Sequence, residues 1–150
     1  MEFKNISGLK RKRVSLRKGS IAEFYLGRFL DLHGMNIKDV TLAEVKSERL
    51  GNEIVEGKID AVITHNPHVY AIKKRLGANG IVWPAQSGQF VYGIMVSRDS
   101  WITRHPELVI RFLQSIAQAE EYIINHPDEA KASMQKHFKY DNTLIESIWH

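Results

Sequence analysis

Short apolar runs rich in β-branched residues alternate with helical patterns through roughly the first 85 residues of the chain. Strand patterns occupy four places, in the order Arg13–Leu16, Val40–Val45, Ile59–Ile63 and Ile81–Trp83. A helical pattern separates each strand from the next. Because strands joined through helices run parallel, this β-α-β-α-β-α-β order predicts an α/β fold with a parallel sheet and helices on both faces.

The predicted helices carry recognisable boundary residues. Ser20 is a good N-cap, and Glu23 follows it at the spacing of a capping box. Gly34 is placed to end that helix, because glycine readily adopts the left-handed conformation of a helix C-terminus. Pro67 suits the first position of a later helix that ends at Gly77. These residues predict where the connections between strands begin and end.

The second part of the chain has a different pattern. Phe90–Val96 is an apolar strand candidate, and helical patterns follow it to the end of the sequence. Pro106 and Pro127 each precede an acidic residue, as expected at the first position of a helix. A last helix begins near Asp141. A single strand forms no sheet, so we expect more chain or a partner surface to complete this part.

Composition excludes several classes of protein. The 150 residues are 43% hydrophobic and 25% charged, which is typical of a globular domain and not of a disordered or fibrous chain. No apolar run approaches the roughly 18 residues of a membrane span. The absence of cysteine excludes disulfides, thiol nucleophiles and thiolate zinc sites. Residues 1–5 lack the apolar segment of a secretory signal peptide.

A basic run lies near the N-terminus. Six of the nine residues Lys10–Lys18 are lysine or arginine, whereas the net charge of the chain is only +4. Such a run can bind nucleic acid or an anionic membrane surface. The alternative is the solvent-exposed flank of an edge strand. We expect the second arrangement, and therefore no nucleic-acid partner.

Two candidate ligand loops follow strand patterns. Gly19 and Ser20 lie at a strand-to-helix turn, where N–H groups and the helix dipole favour an anion. Thr64–Pro67 and His68 follow the strand Ile59–Ile63. Ligands of open α/β sheets bind at the carboxyl ends of the strands, so we expect the two loops to meet at one crevice.

Metal and hydrolytic sites have little support in the spacing of the residues. His65 and His68 have no evident third ligand, so neither a metal site nor a cofactor is predicted. Ser20, His65 and Asp60 can be drawn as a triad, but no G-x-S-x-G turn presents the serine. The sequence therefore favours ligand binding without covalent chemistry.

Several segments resemble the substrate-binding proteins of nitrate, sulfonate and taurine ABC transporters. Gly8–Ser20 is similar to the family's L-K-G-K-x-V-x-x-x-K-G-S pattern, and Gly57–His68 is similar to G-x-I-D-A-x-x-x-W-x-P-Y. Tyr92–Arg98 and His105–Val109 look like the family's return strand and the helix after it. The resemblance covers most of the chain, in family order and spacing.

The resemblance implies a two-lobed, type II periplasmic-binding fold in which the ligand lies between hinged lobes. Residues 1–13 would be a basic flank, 14–84 a complete second lobe with a parallel sheet, and 85–89 a hinge linker. Residues 90–150 would be the helical C-terminal part of an incomplete first lobe. In the family more chain precedes this region, including a signal or lipoprotein peptide.

The resemblance also implies a set of ligand contacts, at the positions of this sequence that match the family's motifs. These would be Lys18, Gly19, Ser20, Ile21, Thr64, His65, Asn66 and Pro67. The ligand would be a small anion or zwitterion, such as an aliphatic sulfonate, taurine or nitrate. The partner would be an ABC permease, the location would be periplasmic or otherwise extracytoplasmic, and the incomplete lobe could pair with a second copy of the chain.

The sequence departs from the family pattern in three places. Arg11 stands where Gly is usual, and His65 stands where Trp is frequent. Glu23 places a carboxylate close to the expected anion site. These departures leave the identity of the ligand open.

Two other functions remain as alternatives. An enzyme similar to the thiamine-pyrimidine synthases would share the fold, but those enzymes use cysteine-bearing iron sites and this chain has no cysteine. A nucleic-acid-binding module would depend on the Lys10–Lys18 run, and its affinity would fall steeply with salt.

Overall fold

The structure is a computed structural model that describes residues 5–86, 88 and 91–149. The chain divides into two compact units, Met1–Phe90 (unit 1) and Val91–His150 (unit 2). Unit 1 holds a parallel sheet covered by helices, and the described part of unit 2 is helical apart from a segment at its start that is neither helix nor strand. The predicted α/β class is confirmed.

Three short parallel strands form the sheet of unit 1. These are β1 (Arg13–Ser15), β2 (Thr41–Ala43) and β3 (Ala61–Val62), arranged in the order β2-β1-β3. The central strand is therefore the first in sequence, and it pairs in parallel with both neighbours. The expectation that the basic run flanks an edge strand is wrong, because two later strands enclose β1.

Three helices connect and cover these strands. They are α1 (Ile21–Leu32), α2 (Ser47–Val55) and α3 (His68–Leu76), with short 3-10 turns at Ile6–Leu9, Ile37–Asp39 and Gly77–Asn79. Ser20 caps α1 as predicted, and Gly34 follows the end of that helix with a φ of +68°. Pro67 immediately precedes α3 and is not its first residue.

Two apolar clusters form the core of unit 1. Successive residues of β2, Leu42 and Ala43, pack in different clusters, and so do Ala61 and Val62 of β3. Because successive side chains of a strand point to opposite faces, the clusters lie on opposite sides of the sheet. One contains residues of α1 and the other contains residues of α2 and α3. The prediction of helices on both faces is confirmed.

The predicted fourth strand, Ile81–Trp83, is wrong. This segment pairs with no strand among the described residues. The Trp83 ring packs on the α1 side of the core, 6.4 Å from the Phe29 ring centroid, and Ile81 remains about half exposed. The run is only three residues long, and Pro84 after it has no N–H to donate to a sheet.

Unit 2 contains α4 (Asp99–Arg104), α5 (Pro106–Asn125), α6 (Pro127–Phe138) and α7 (Asn142–Ile148). The predicted starts at Pro106 and Pro127 are confirmed. The Asp141 carboxylate accepts the Leu144 N–H at 2.8 Å and so caps α7. No helix among the residues described is long and apolar enough to cross a membrane.

The predicted strand Phe90–Val96 is also wrong over residues 91–96, and Phe90 lies outside the described residues. The segment pairs with no described strand, and Ile94 and Val96 are 86% and 90% exposed. The reason is that unit 2 offers it no neighbouring strand in its described part. The buried apolar residues described in unit 2 are only Ala130, Leu144 and Ile145.

Candidate functional site

The two candidate ligand loops begin at the same edge of the unit 1 sheet. One follows β1 and contains Lys18–Ile21, and the other follows β3 and contains Thr64–Pro67. Because β1 and β3 are parallel neighbours, their carboxyl ends lie side by side. The Ile63 N–H donates to the Ser15 carbonyl at 2.9 Å, so strand pairing continues to the start of both loops.

The first loop turns sharply into α1. Gly19 has a φ of +66°, in the left-handed region that favours glycine. The Ser20 hydroxyl donates to the Arg17 carbonyl and accepts the Ala22 N–H at 3.2 Å. Lys18 is exposed, and Ile21 begins the helix with a side chain that is 55% exposed. The loop therefore combines helix N–H groups, a cation and an apolar side chain.

Glu23 lies across the same turn. Its carboxylate accepts the Gly19 N–H at 2.7 Å. The predicted capping box places this carboxylate on the Ser20 N–H. The prediction that Glu23 binds a backbone N–H of this turn is right, but the N–H is that of Gly19 and not that of Ser20. An internal carboxylate therefore holds an N–H group that an anionic ligand at this turn would use.

The second loop offers neutral polar groups and aromatic rings. Thr64 is half-buried, whereas His65 and Asn66 are exposed. The Asn66 side-chain oxygen accepts the Tyr70 N–H at 3.3 Å, near the start of α3. The His65 and His68 rings meet edge to face, with 5.9 Å between their centroids. Among the described residues, no group of three or more histidine or acidic side chains could hold a metal ion.

The hypothetical Ser20–His65–Asp60 triad is not assembled. Asp60 precedes β3 and binds Arg13, whereas His65 follows β3, at the other edge of the sheet. The Ser20 hydroxyl donates to a backbone carbonyl in its own turn. No proton path links the three groups, so the triad is wrong.

Sequence reasoning missed an ion pair between β1 and β3. Arg13 Nε lies 2.9 Å from Asp60 Oδ2, and Arg13 Nη2 lies 3.1 Å from Asp60 Oδ1. Hydrogen bonding by the guanidinium, opposed by burial, holds the pKa of Asp60 below its usual value, and the pKa of Arg13 is raised by the same hydrogen bond. Nothing local indicates the pair, because Arg13 stands within a basic run and the two residues are 47 positions apart.

The basic run does not form one charged strip. Val14, Ser15 and Leu16 are buried in the middle of it. Lys10 and Arg11 therefore lie before the central strand, and Arg17 and Lys18 lie after it, at the edge of the candidate site. Arg13 is bound to Asp60. The central strand therefore divides the basic run into two groups of cations.

A depression of about 260 Å³ lies elsewhere, in unit 2. It is lined by neighbours in sequence at the α4–α5 corner, from Arg104 to Leu108, together with Arg111. None of the predicted site residues contributes to it. Sequence neighbours at a helix corner commonly leave such a hollow, so the strand edge of unit 1 remains the candidate site.

A comparison with protein families bears on this arrangement. The family model described as NMT1/THI5 like matches residues 2–130. The chain belongs to the NMT1/THI5-like family. This NMT1/THI5-like chain is 25% identical over 146 residues to a Bacillus subtilis (strain 168) protein named for binding aliphatic sulfonates, a match that covers 97% of this chain and 44% of that protein. It is 23% identical over 151 residues to a protein of Brucella abortus (strain 2308) named as a binding protein, covering 97% and 46%.

Solved structures confirm the fold of this NMT1/THI5-like chain. The alkanesulfonate-binding protein of Xanthomonas axonopodis pv. citri, bound to MOPS, matches with a TM-score of 0.81 and 18% identity, covering 98% of this chain and 50% of that one. A periplasmic sulfonate-binding protein of Methylobacillus flagellatus matches with a TM-score of 0.71 and 16% identity, covering 98% and 45%. The chain therefore spans about half the length of its relatives. These relatives are binding proteins and not enzymes, which confirms the expected resemblance.

Proposed function

We propose that this chain is part of the solute-binding protein of an ABC importer. The observation that carries the proposal is the adjacency of two loops at the carboxyl ends of β1 and β3, one of which opens a helix with a cation beside it. The names of the relatives support the same role. The ligand lies against Lys18, Gly19, Ser20 and Ile21 on one side and against Thr64, His65, Asn66 and Pro67 on the other.

The ligand class that fits these loops best is a small organic anion, and an aliphatic sulfonate in particular. Backbone N–H groups at the start of α1 and the Lys18 ammonium suit the sulfonate oxygens. Ile21 and Phe24 are 55% and 60% exposed at the first turn of α1, so they can cover an alkyl chain. Nitrate has no such chain, and taurine adds an ammonium that would have to be paired.

Transport requires a partner and a closing motion, which belong to the same proposal. Residues 14–84 form one lobe, residues 85–89 a hinge, and residues 90–150 part of the other lobe. The two lobes close on the ligand, and an ABC permease then receives it. Extracytoplasmic location follows from the same role. No cofactor and no covalent step are needed.

A thermal-shift experiment tests the proposal. The purified chain is titrated with MOPS, ethanesulfonate, taurine and nitrate. A ligand that binds only the folded chain raises its stability by about 2.7 kcal/mol at a hundred times its Kd. We expect saturable stabilisation by the sulfonates and weaker stabilisation by nitrate.

Two variants separate the candidate site from general effects. Ser20→Ala removes the hydroxyl at the α1 turn and should abolish most of the shift. Ser7→Ala changes an exposed serine that precedes β1, at the opposite edge of the sheet, and should leave the shift unchanged. The proposal is wrong if no sulfonate stabilises the chain, or if both variants respond like the parent.

A further inference from the structure

The ion pair between Arg13 and Asp60 lies at the opposite edge of the sheet from the candidate loops. Both guanidinium arms contact the carboxylate, and Arg13 Nη2 also donates to the Gly57 carbonyl at 2.6 Å. The backbone adds two bonds, since the Arg13 N–H donates to Asp60 Oδ2 at 2.9 Å and the Asp60 N–H donates to the Arg13 carbonyl at 2.9 Å. Arg13 begins β1 and Asp60 directly precedes β3, so neither belongs to the predicted ligand contacts.

The ladder between β1 and β3 that carries this alignment is short. β3 contains two residues, and its pairing with β1 consists of Val14 with Ala61 and Ser15 with Val62. A slip by one residue would move the second loop by about 3.3 Å along the strand and turn its side chains to the other face. A two-armed contact between guanidinium and carboxylate is directional and does not survive such a slip.

We propose that Arg13 and Asp60 are positioning residues for the ligand site, which set the alignment of the Lys18–Ile21 loop with the Thr64–Pro67 loop from the far edge of the sheet. The inference rests on the function proposed above. A ligand held by groups from both loops needs those groups placed within about 0.5 Å. The ion pair fixes the position of β1 relative to β3, within a few residues of each loop.

The test compares Asp60→Asn, Arg13→Lys and a control, Lys131→Gln. The control breaks an ion pair of similar length in unit 2, between Lys131 and Glu146 at 2.8 Å. Calorimetry gives the Kd for MOPS at a low temperature, where circular dichroism shows every variant folded. Amide NMR follows the positions of Gly19 and Thr64 and the hydrogen exchange of the Ile63 N–H.

We expect Asp60→Asn to weaken MOPS binding about tenfold or more, because misplacement by about 1 Å is costly in a preorganised site. The Gly19 and Thr64 amide signals should shift, and Ile63 should exchange faster. Arg13→Lys keeps the charge but loses the two-armed contact, so its effect should be intermediate. Lys131→Gln should change none of these readouts.

Two outcomes overturn the inference. If Asp60→Asn lowers the melting temperature while the Kd and both loop amides stay as in the parent, the pair only stabilises the sheet. If the parent chain itself does not bind MOPS, the function proposed above fails, and unchanged loop amides in Asp60→Asn would then reject the positioning role separately.

Discussion

One side chain, that of Glu23, affects how an anionic ligand can bind at the start of α1. Its carboxylate accepts the Gly19 N–H at 2.7 Å, at the turn where the ligand's anionic group is proposed to bind. A bound anion must either displace this carboxylate or tolerate it at close range. Like charges a few ångströms apart repel, and the cost rises as water is excluded.

We expect Glu23→Gln to bind sulfonates more tightly than the parent, by roughly tenfold, since one charge-assisted bond no longer competes. Glutamine also serves at this position of a helix start, so α1 should persist. The measurement is the Kd for ethanesulfonate by calorimetry. Glu56→Gln, at the end of α2 and so at the opposite edge of the sheet, removes the same charge and should have little effect. Equal affinities for Glu23→Gln and the parent would show that the carboxylate does not compete.

Ser15 is a second residue whose environment predicts how a substitution changes stability. It is fully buried in β1, and its hydroxyl has no hydrogen-bond partner among the described residues. A buried hydroxyl without a partner costs about 1–3 kcal/mol. We therefore expect Ser15→Ala to leave the free energy of unfolding unchanged or to raise it by about 1 kcal/mol. Urea unfolding measures this value.

Leu30→Ala provides the comparison, because Leu30 is equally buried but wholly apolar. Its loss should cost about 2–5 kcal/mol, as expected for a cavity in a packed core. A large destabilisation by Ser15→Ala would mean that its hydroxyl is hydrogen-bonded after all.

At the scale of elements, the β1–β3 pair should respond to acid. The Arg13 guanidinium lowers the pKa of Asp60 below its ordinary value of 3.8. A carboxyl group whose pKa is lowered by folding stabilises the protein above its unfolded pKa, and this contribution is lost as the pH falls through the folded pKa. The pair should therefore support unit 1 at neutral pH and lose that effect in strong acid.

We expect the difference in stability between the parent and Asp60→Asn to shrink as the pH falls from about 5 to 2, because protonation of Asp60 makes the two chains alike. Trp83 fluorescence reports unit 1 when Trp101 and Trp149 of unit 2 are replaced by Phe. Urea midpoints at several pH values give the comparison. A constant difference across this range would show that the charge on Asp60 does not contribute.

Local signals in the sequence predicted the helices well. The caps at Ser20 and Asp141 and the prolines at Pro106 and Pro127 act within a few residues of themselves. Such contacts form in any tertiary context, so the pattern alone is sufficient. The three strands that pair were also found, because each lies in a short run that contains apolar or β-branched residues.

Long-range pairing explains what the sequence did not predict. Ile81–Trp83 and residues 91–96 have strand composition, but a strand also needs a neighbour, and no described segment pairs with either. The central place of β1 and the Arg13–Asp60 contact likewise depend on residues far away in the chain. The two candidate loops were placed at one edge because parallel topology, once inferred, fixes that edge.

At the scale of the whole molecule, the exposed apolar surface is unevenly distributed. Of the large apolar side chains described as exposed, six lie in unit 1 and sixteen in unit 2. Helix α5 has twenty residues and no buried one. Surfaces of this kind on soluble proteins are usually covered by other protein. In unit 2 the segment 91–96 adds the highly exposed side chains of Ile94 and Val96 to that surface.

We expect the isolated chain to associate through unit 2. Light scattering should give a mass above 17.2 kDa that rises with concentration. The double variant Ile94→Lys and Val96→Lys replaces two highly exposed apolar side chains by charged ones and should shift the chain toward the monomer. Leu32→Lys changes a side chain that is 56% exposed in unit 1 and should not. A parent chain that stays monomeric at all concentrations would contradict this expectation.

The central position of β1 also matters while the protein is being made. Val14 is synthesised before both of the residues it pairs with, Leu42 and Ala61. During synthesis β1 therefore lacks both neighbouring strands until the remainder of unit 1 has emerged from the ribosome. Each parallel neighbour closes a long loop of chain, which slows assembly. The strand that lies between the other two is thus the first of the three to be made and the last to have both of its neighbours.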